Sequence, residues 1–286
     1  VIHIEGMGVL GMQVAWRLEE LGLDFTWSDI DAPFTAWHCS TGIVYPSGNA
    51  RDLDGLAWWR DRTADFAPYV EATPYVFAHK HPPHGGRYAY DDIDDPRYDL
   101  RVARDYPAVA INVPKLVTAT RERFAHHRTE GADDGELLVV AHSNTDRVKG
   151  YLWGWAARVT FDGPVDEVAT YYAKKHRFNL TYAYPIPGDG QWWAGSTLKY
   201  QDTPKELDAR PYLDEWLANA PELLGLENIE VHSLEQGWRP RRGPMSTPNE
   251  ARYDAENNSW VMAPEPTSGL RHGPLIVDDL MERMGL

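Results

Sequence analysis

Apolar positions along the chain mark out a few elements before any chemistry is considered. Val1-Ile2-His3-Ile4 is a short β-rich run of the kind that lies buried in a parallel sheet. Leu10, Val14, Leu18 and Leu21 then recur at helical spacing, and Gly22 is placed to end that helix. A second strand is predicted from Phe25 to Trp27, closing on Asp29. From Glu136, "ELLVVAHSN" reads as a buried strand ending in small polar residues, and "VKGYLWGWAARV" follows it. Near the end, the strand "SWVMAP" precedes "SGLRHGPLIVDDLMERM". That last piece is a glycine turn entering an amphipathic helix, with Leu275, Ile276, Leu280 and Met284 on or near one face.

The first strand and helix are joined by "EGMGVLGMQVAWRL", in which Gly6, Gly8 and Gly11 satisfy G-x-G-x-x-G. The string is common by chance, and an ordinary tight βα turn is its bland reading. Here a strand precedes it, a helix follows, and Asp29 ends the next strand about 20 residues on, the layout of a dinucleotide-binding βαβ unit. Gly6 allows the tight turn, Gly8 lets a pyrophosphate approach the backbone, and Gly11 lets helix and strand pack closely. The helix N-terminus offers N–H groups and positive potential to phosphates. Asp29 is placed to accept hydrogen bonds from ribose hydroxyls. The glycines do not separate NAD from FAD.

Composition narrows the choices. The 286 residues suffice for one large or two moderate domains, and 12 Trp and 15 Tyr offset an apolar content of 43%. No run has the apolar length of a membrane span, and no signal-peptide pattern is present, so a cytoplasmic protein is the expectation. One cysteine, Cys39, leaves no internal disulfide and no cysteine-cluster metal site. Net charge is −15, with acidity concentrated from Tyr90 to Asp99, which disfavours duplex nucleic acid and anionic membranes. His79, His81 and His84 flank Pro82-Pro83 without a carboxylate at ligand spacing, and read as a solvated loop with no metal.

Several motifs in order then carry a resemblance. They are the N-terminal glycines with Asp29; Thr41-Gly42-Ile43; Val148-Lys149-Gly150 after an apolar strand; "YPIPGDGQWWAGST" from Tyr184; "GWRP" from Gly237; and "SGLRHGP" from Ser268. Together they resemble the FAD-dependent D-amino-acid oxidase superfamily, in particular its glycine oxidase and sarcosine oxidase branch, over nearly the whole chain. The resemblance implies an α/β fold. A discontinuous Rossmann-like FAD-binding domain (1–50, 105–150 and 237–286) is interleaved with a substrate domain (51–104 and 151–236). The latter is built on a mixed, largely antiparallel sheet. Two departures stand out. The segment Arg123 to Asp134 is compressed where relatives carry a strand and loop that seat the adenine, and Asp29 stands where glutamate is commoner. The second keeps NAD as a minor alternative.

The chemistry implied is oxidation of a Cα–N bond by hydride transfer from the α-carbon of a neutral amine to flavin N5. Arg239 matches the family's carboxylate-binding arginine, Arg271 a second arginine near the flavin, and Tyr184 the tyrosine that helps fix the carboxylate. A guanidinium fork suits a carboxylate better than an ammonium does. The two forks are expected to converge over the flavin. Without that frame, each arginine reads as an ordinary ion pair, the reading kept for Arg241 and Arg242. Gly6, Gly8, Gly11, Asp29, Thr41, Gly42, Ile43, Gly269, Arg271, His272 and Gly273 are expected around FAD. So is His38, because Trp37-His38 resembles the pair that carries a covalent flavin in histidyl-flavin relatives; packing beside the cofactor is its default. Trp153, Trp155, Trp192 and Trp193 read as core, with ring stacking as the alternative. A small amine or amino acid of glycine or sarcosine type is the first substrate. The alternatives are a lyase or oxidase acting on a glycyl-modified thymidine in phage DNA, and a flavin-binding subunit without turnover.

Overall fold

The computed structural model describes residues 1–31, 35–45, 50–79, 91–94, 101–133, 136–141, 150–163, 168–172, 179–241, 250–263 and 269–286. The elements begin with β1 (Ile2–Glu5), α1 (Val9–Glu20), β2 (Phe25–Ser28), β3 (Ile43–Val44) and α2 (Ala50–Asp61). They continue with β4 (Val70–His79), β5 (Asp91–Asp94), β6 (Arg101–Ile111), α3 (Val113–Arg123), β7 (Leu137–Val140) and β8 (Gly150–Asp162). The last are β9 (Val168–Tyr172), β10 (Asn179–Ile186), β11 (Gln191–Gln201), α4 (Arg210–Leu224), β12 (Glu227–Arg241), β13 (Glu250–Asp254), β14 (Ser259–Ala263) and α5 (Gly269–Met284).

Two sheets result. The smaller has the order β13-β14-β7-β1-β2. β1 lies parallel to both β2 and β7, β14 parallel to β7, and β13 closes the far edge antiparallel to β14. The larger runs β12-β8-β11-β10-β9-β4-β6-β3, with β5 on β6. Its pairings are antiparallel except β4 with β9. The α/β class and the mixed, largely antiparallel second sheet are therefore as expected.

Local sequence explains the first unit. Ile2 and Ile4 of β1 and Leu10, Val14 and Leu18 of α1 are all buried in one core. Leu21 is not part of that stripe. It caps α1 and is 38% exposed, because the chain turns out through Gly22 at φ 65°. Gly11 faces the carbonyl of Gly6, and a Cβ there would stand 1.9 Å from that oxygen. α5 lays Ile276, Val277, Leu280 and Met281 into the same core.

The larger sheet has two unlike faces. On one, Trp153, Trp155 and Val159 of β8 pack against Leu213, Trp216, Ala220 and Leu224 of α4. The Trp216 indole N–H donates to the Tyr182 carbonyl at 3.0 Å, and Gly225 ends α4 at φ 70°. On the other, Ala156, Tyr184, Ile186 and Trp193 form a smaller cluster joined by Ile43, Tyr45 and Tyr182. Trp27, Trp59, Trp153, Trp193 and Trp216 are fully buried. A ring of this kind removes roughly 150–250 Å² from water, worth about 4–6 kcal/mol at ~25 cal/mol/Å².

Gly11→Ala drives a methyl group into backbone that has no side-chain freedom with which to yield. It should lower the unfolding free energy by about 1–3 kcal/mol, read from urea denaturation followed by tryptophan fluorescence. A variant as stable as wild type would contradict this close approach.

Candidate functional site

The first helix opens on glycine. Its N-cap is Gly8, with no side-chain cap and no acidic residue in the first turn, so the leading N–H groups keep their positive end. Gly6, at φ 96°, donates its N–H to the Ser28 carbonyl at 2.8 Å and turns the chain tightly off β1. Asp29 braces the turn, as its Oδ2 accepts from Met7 N–H at 2.7 Å and its Oδ1 from Asp31 N–H at 2.8 Å.

A residue not singled out from the sequence completes this end. Arg121, in the last turn of α3, donates Nη2 to Asp29 Oδ2 and Nη1 to Asp31 Oδ1, each at 2.6 Å, and Nε to the Met7 carbonyl at 2.9 Å. Arg128 donates to Asp31 Oδ2 at 2.8 Å. Burial acts to raise the Asp31 carboxyl, but hydrogen bonds from Arg121 and Arg128 outweigh it and hold its pKa below the ordinary value. Arg121 also lies 5.0 Å over the Trp37 ring, which stacks on His38 at 3.6 Å and reaches Gly8 through its Cδ1 edge. Burial, then the Arg121 charge, lower the His38 pKa.

From His38 the chain runs under the larger sheet. Thr35 bridges Trp238 of β12, and the Gly42 carbonyl accepts from Ile111 N–H at 2.6 Å, with Gly42 at φ 56°. Ile43 then pairs with Ala110 of β6. Thr41 hydrogen-bonds the Tyr182 hydroxyl, whose pKa burial pushes up to about 12. Tyr182 stacks on Tyr184, centroids 4.3 Å apart and planes 12° from parallel. Tyr184 is buried, and the Tyr182 hydroxyl lies in the field of Arg239. Strand alternation is the signal for Tyr182, two residues from Tyr184 on the same face.

Arg239 is paired in register with Leu152 and influences both Tyr182 and Cys39. It is half-buried, and among the described residues no carboxylate forms an ion pair with it. Burial raises the Cys39 thiol to about 11, so it remains protonated at neutral pH.

The first turn of α5 reaches both ends. The Gln13 amide of α1 donates to the Gly269 carbonyl at 3.2 Å, and Gly273 lies against the same amide. Arg271 stands 5.0 Å over Tyr45, which packs on the aromatic cluster, and pairs with Asp52 of α2 at 3.4 Å. His272 Nε2 donates to the other Asp52 oxygen at 2.5 Å. Arg239 and Arg271 thus border one aromatic group through Tyr182 and Tyr45. The sequence signal for Asp52 is an acid on the buried stripe of α2, with Gly55, Leu56 and Trp59.

His81, His84, Arg242, Val148 and Lys149 lie outside the described residues, as does most of the acidic run from Tyr90 to Asp99. Among the described residues, no three His, Cys, Asp or Glu side chains group as metal ligands.

No protein-family profile and no curated protein matches the chain. Solved structures do. The iminodiacetate oxidase of Chelativorans sp. BNC1 superposes with a TM-score of 0.75 at 14% identity, over 100% of this chain and 95% of that one. The glycine oxidase of Bacillus cereus ATCC 14579 gives 0.72 at 15% identity, over 99% and 95%. The dithionite-reduced L-α-glycerophosphate oxidase of Mycoplasma pneumoniae, with FAD bound, gives 0.74 at 11% identity, over 100% and 94%. The fold is theirs. No helix of the described residues is long and apolar enough to cross a membrane.

His38 makes a pH signature testable. Its pKa in the folded chain lies below the ordinary 6.5, so the unfolded chain binds more protons as pH falls through that value, and stability drops with acidification. Between about pH 7.5 and about pH 5.5, wild type should lose more unfolding free energy than His38→Gln. Equal losses in urea titrations would remove this assignment.

Proposed function

We propose that the protein is an FAD-dependent oxidoreductase that oxidises the Cα–N bond of a small amino acid or secondary amine of glycine or sarcosine type. The shared fold supports the class, and the two helix N-termini that meet at Gln13 suit an extended dinucleotide. In this reading the five-stranded sheet carries the FAD-binding unit and the nine-stranded sheet the substrate unit. Gly6, Gly8 and Gly11 hold the diphosphate, and Asp29 faces the ribose while sharing its carboxylate with Arg121. His38, Thr41, Gly42, Ile43, Gly269, Arg271, His272 and Gly273 line the path towards the ring. When bound, the flavin accepts the hydride that leaves the substrate α-carbon.

The observation that carries the substrate assignment is Arg239. A guanidinium on an aromatic sheet face, without a carboxylate partner among the described residues, suits an incoming anion. It fixes the carboxylate end. Tyr182 and Tyr184 wall the site, and their rings exclude water from the α-carbon. Tyr182 and Cys39, with pKa values pushed to about 12 and about 11, stay protonated at neutral pH. Neither is poised as a general base.

The purified protein should be yellow, and glycine or sarcosine added under nitrogen should bleach it. Arg239→Ala should keep FAD while raising KM by ~30-fold or more, the effect of losing about 2 kcal/mol from a charge-paired anion. A stable yellow with every small amine, or unchanged kinetics in the variant, would defeat this reading.

A further inference from the structure

Asp52 is fully buried on α2, where a carboxylate is costly unless donors surround it. Among its donors are consecutive residues of the first turn of α5, His272 at 2.5 Å and Arg271 at 3.4 Å. The same face of α2 already holds that turn by other means. The Trp59 indole N–H donates to the Leu270 carbonyl at 2.7 Å, and Gly55 packs directly on the Arg271 carbonyl. A hydrogen-bonding and packing clip that does not use Asp52 is therefore also present; Asp52 adds its own hydrogen bonds and a negative charge.

That charge separates the two arginines bordering the aromatic face. Arg271, 15% exposed, has a fully buried carboxylate 3.4 Å from its Nη1. Arg239 has no such partner among the described residues. We propose that Asp52 is a positioning residue that neutralises Arg271, so that the site presents one uncompensated cation and selects amines bearing a single carboxylate. This rests on the reading of Arg239 as the anion-binding residue. Arg271 then holds its guanidinium against Tyr45 and contributes shape without competing for the substrate's anionic end.

The test measures anion binding without turnover. Acetate is titrated into the FAD-loaded protein and its dissociation constant read from the flavin absorbance change. Asp52→Asn keeps the shape and the acceptor oxygen but removes the charge, and should tighten acetate binding by about fivefold or more. The gain should vanish in the Asp52→Asn, Arg271→Gln double variant. A carboxylate with a merely structural role would lower the melting temperature and leave acetate affinity unmoved or weaker. Wild-type binding with an Asp52→Asn constant within about twofold of it overturns the inference alone. A wild-type flavin that acetate never perturbs overturns this inference together with the role given to Arg239. Should Asp52→Asn fail to fold or to keep FAD, Arg239→Gln and Arg271→Gln decide the matter. The first should lose about 30-fold in acetate affinity and the second less than about fivefold; equal losses overturn the proposal.

Discussion

The first and last helices of the chain meet at a single buried amide, and the site depends on that meeting. Gln13, 3% exposed, donates to the Val9 carbonyl of its own helix at 2.7 Å and to the Gly269 carbonyl at 3.2 Å. Gly273 gives the amide room, since a Cβ there would stand 2.5 Å from its oxygen. Residues 256 positions apart are thereby fixed with both helix N-termini opening at one place. The same contact seals the core, because Ile276, Val277 and Leu280 pack beside Leu10 and Val14. Hydrophobic burial supplies the driving force, while the amide and the missing side chain set the register.

Charge is distributed unevenly around this junction. Asp29, Asp31, Arg121 and Arg128 form a balanced lattice at the end of β2, and Asp52 balances Arg271 beneath α5. Arg239 stands apart, opposite a face of tyrosines. On a chain of net charge −15, a half-buried guanidinium with no carboxylate ion pair among the described residues gives a local positive field. The aromatic rings deepen this contrast. Tyr182 and Tyr184 are low-dielectric neighbours, and a charge beside them is screened less than one at the surface.

What the sequence made legible was what local spacing encodes. β1, α1 and β2 follow from periodicity and glycine placement, and α5 from its apolar face. Gly6, Gly8, Thr41 and Gly42 fall on connecting segments, Gly11, Gly269 and Gly273 on helices, and Arg239 on a strand. Partnerships across the fold were not legible. Asp52 and His272 lie 220 residues apart, and Arg121 and Asp29 lie 92 apart, so no window of sequence links them. Leu21 fits the helical spacing of α1, yet the chain turns away before it can join the core. Tyr182 was passed over because a motif drew attention to Tyr184, although alternation puts both rings on one face.

The compressed segment after α3 has a physical counterpart at the sheet edge. Beyond β2, pairing is reduced to a bridge between Trp27 and Arg128, with Thr129 N–H donating to the Trp27 carbonyl at 2.8 Å. Side chains supply the remaining contacts. Arg128 lies 5.2 Å over the Trp27 ring and pairs with Asp31, which Arg121 ties back to the glycine turn. The Trp27 indole N–H donates to the Phe124 carbonyl at 2.8 Å and closes the interior beneath them. An ion-paired lattice needs few residues to define an edge, whereas a strand needs a partner and a return loop. The cost is exposure to salt, since Arg128 and Asp31 are about half exposed. The short segment therefore closes this edge with one backbone bridge and an ion-paired lattice together.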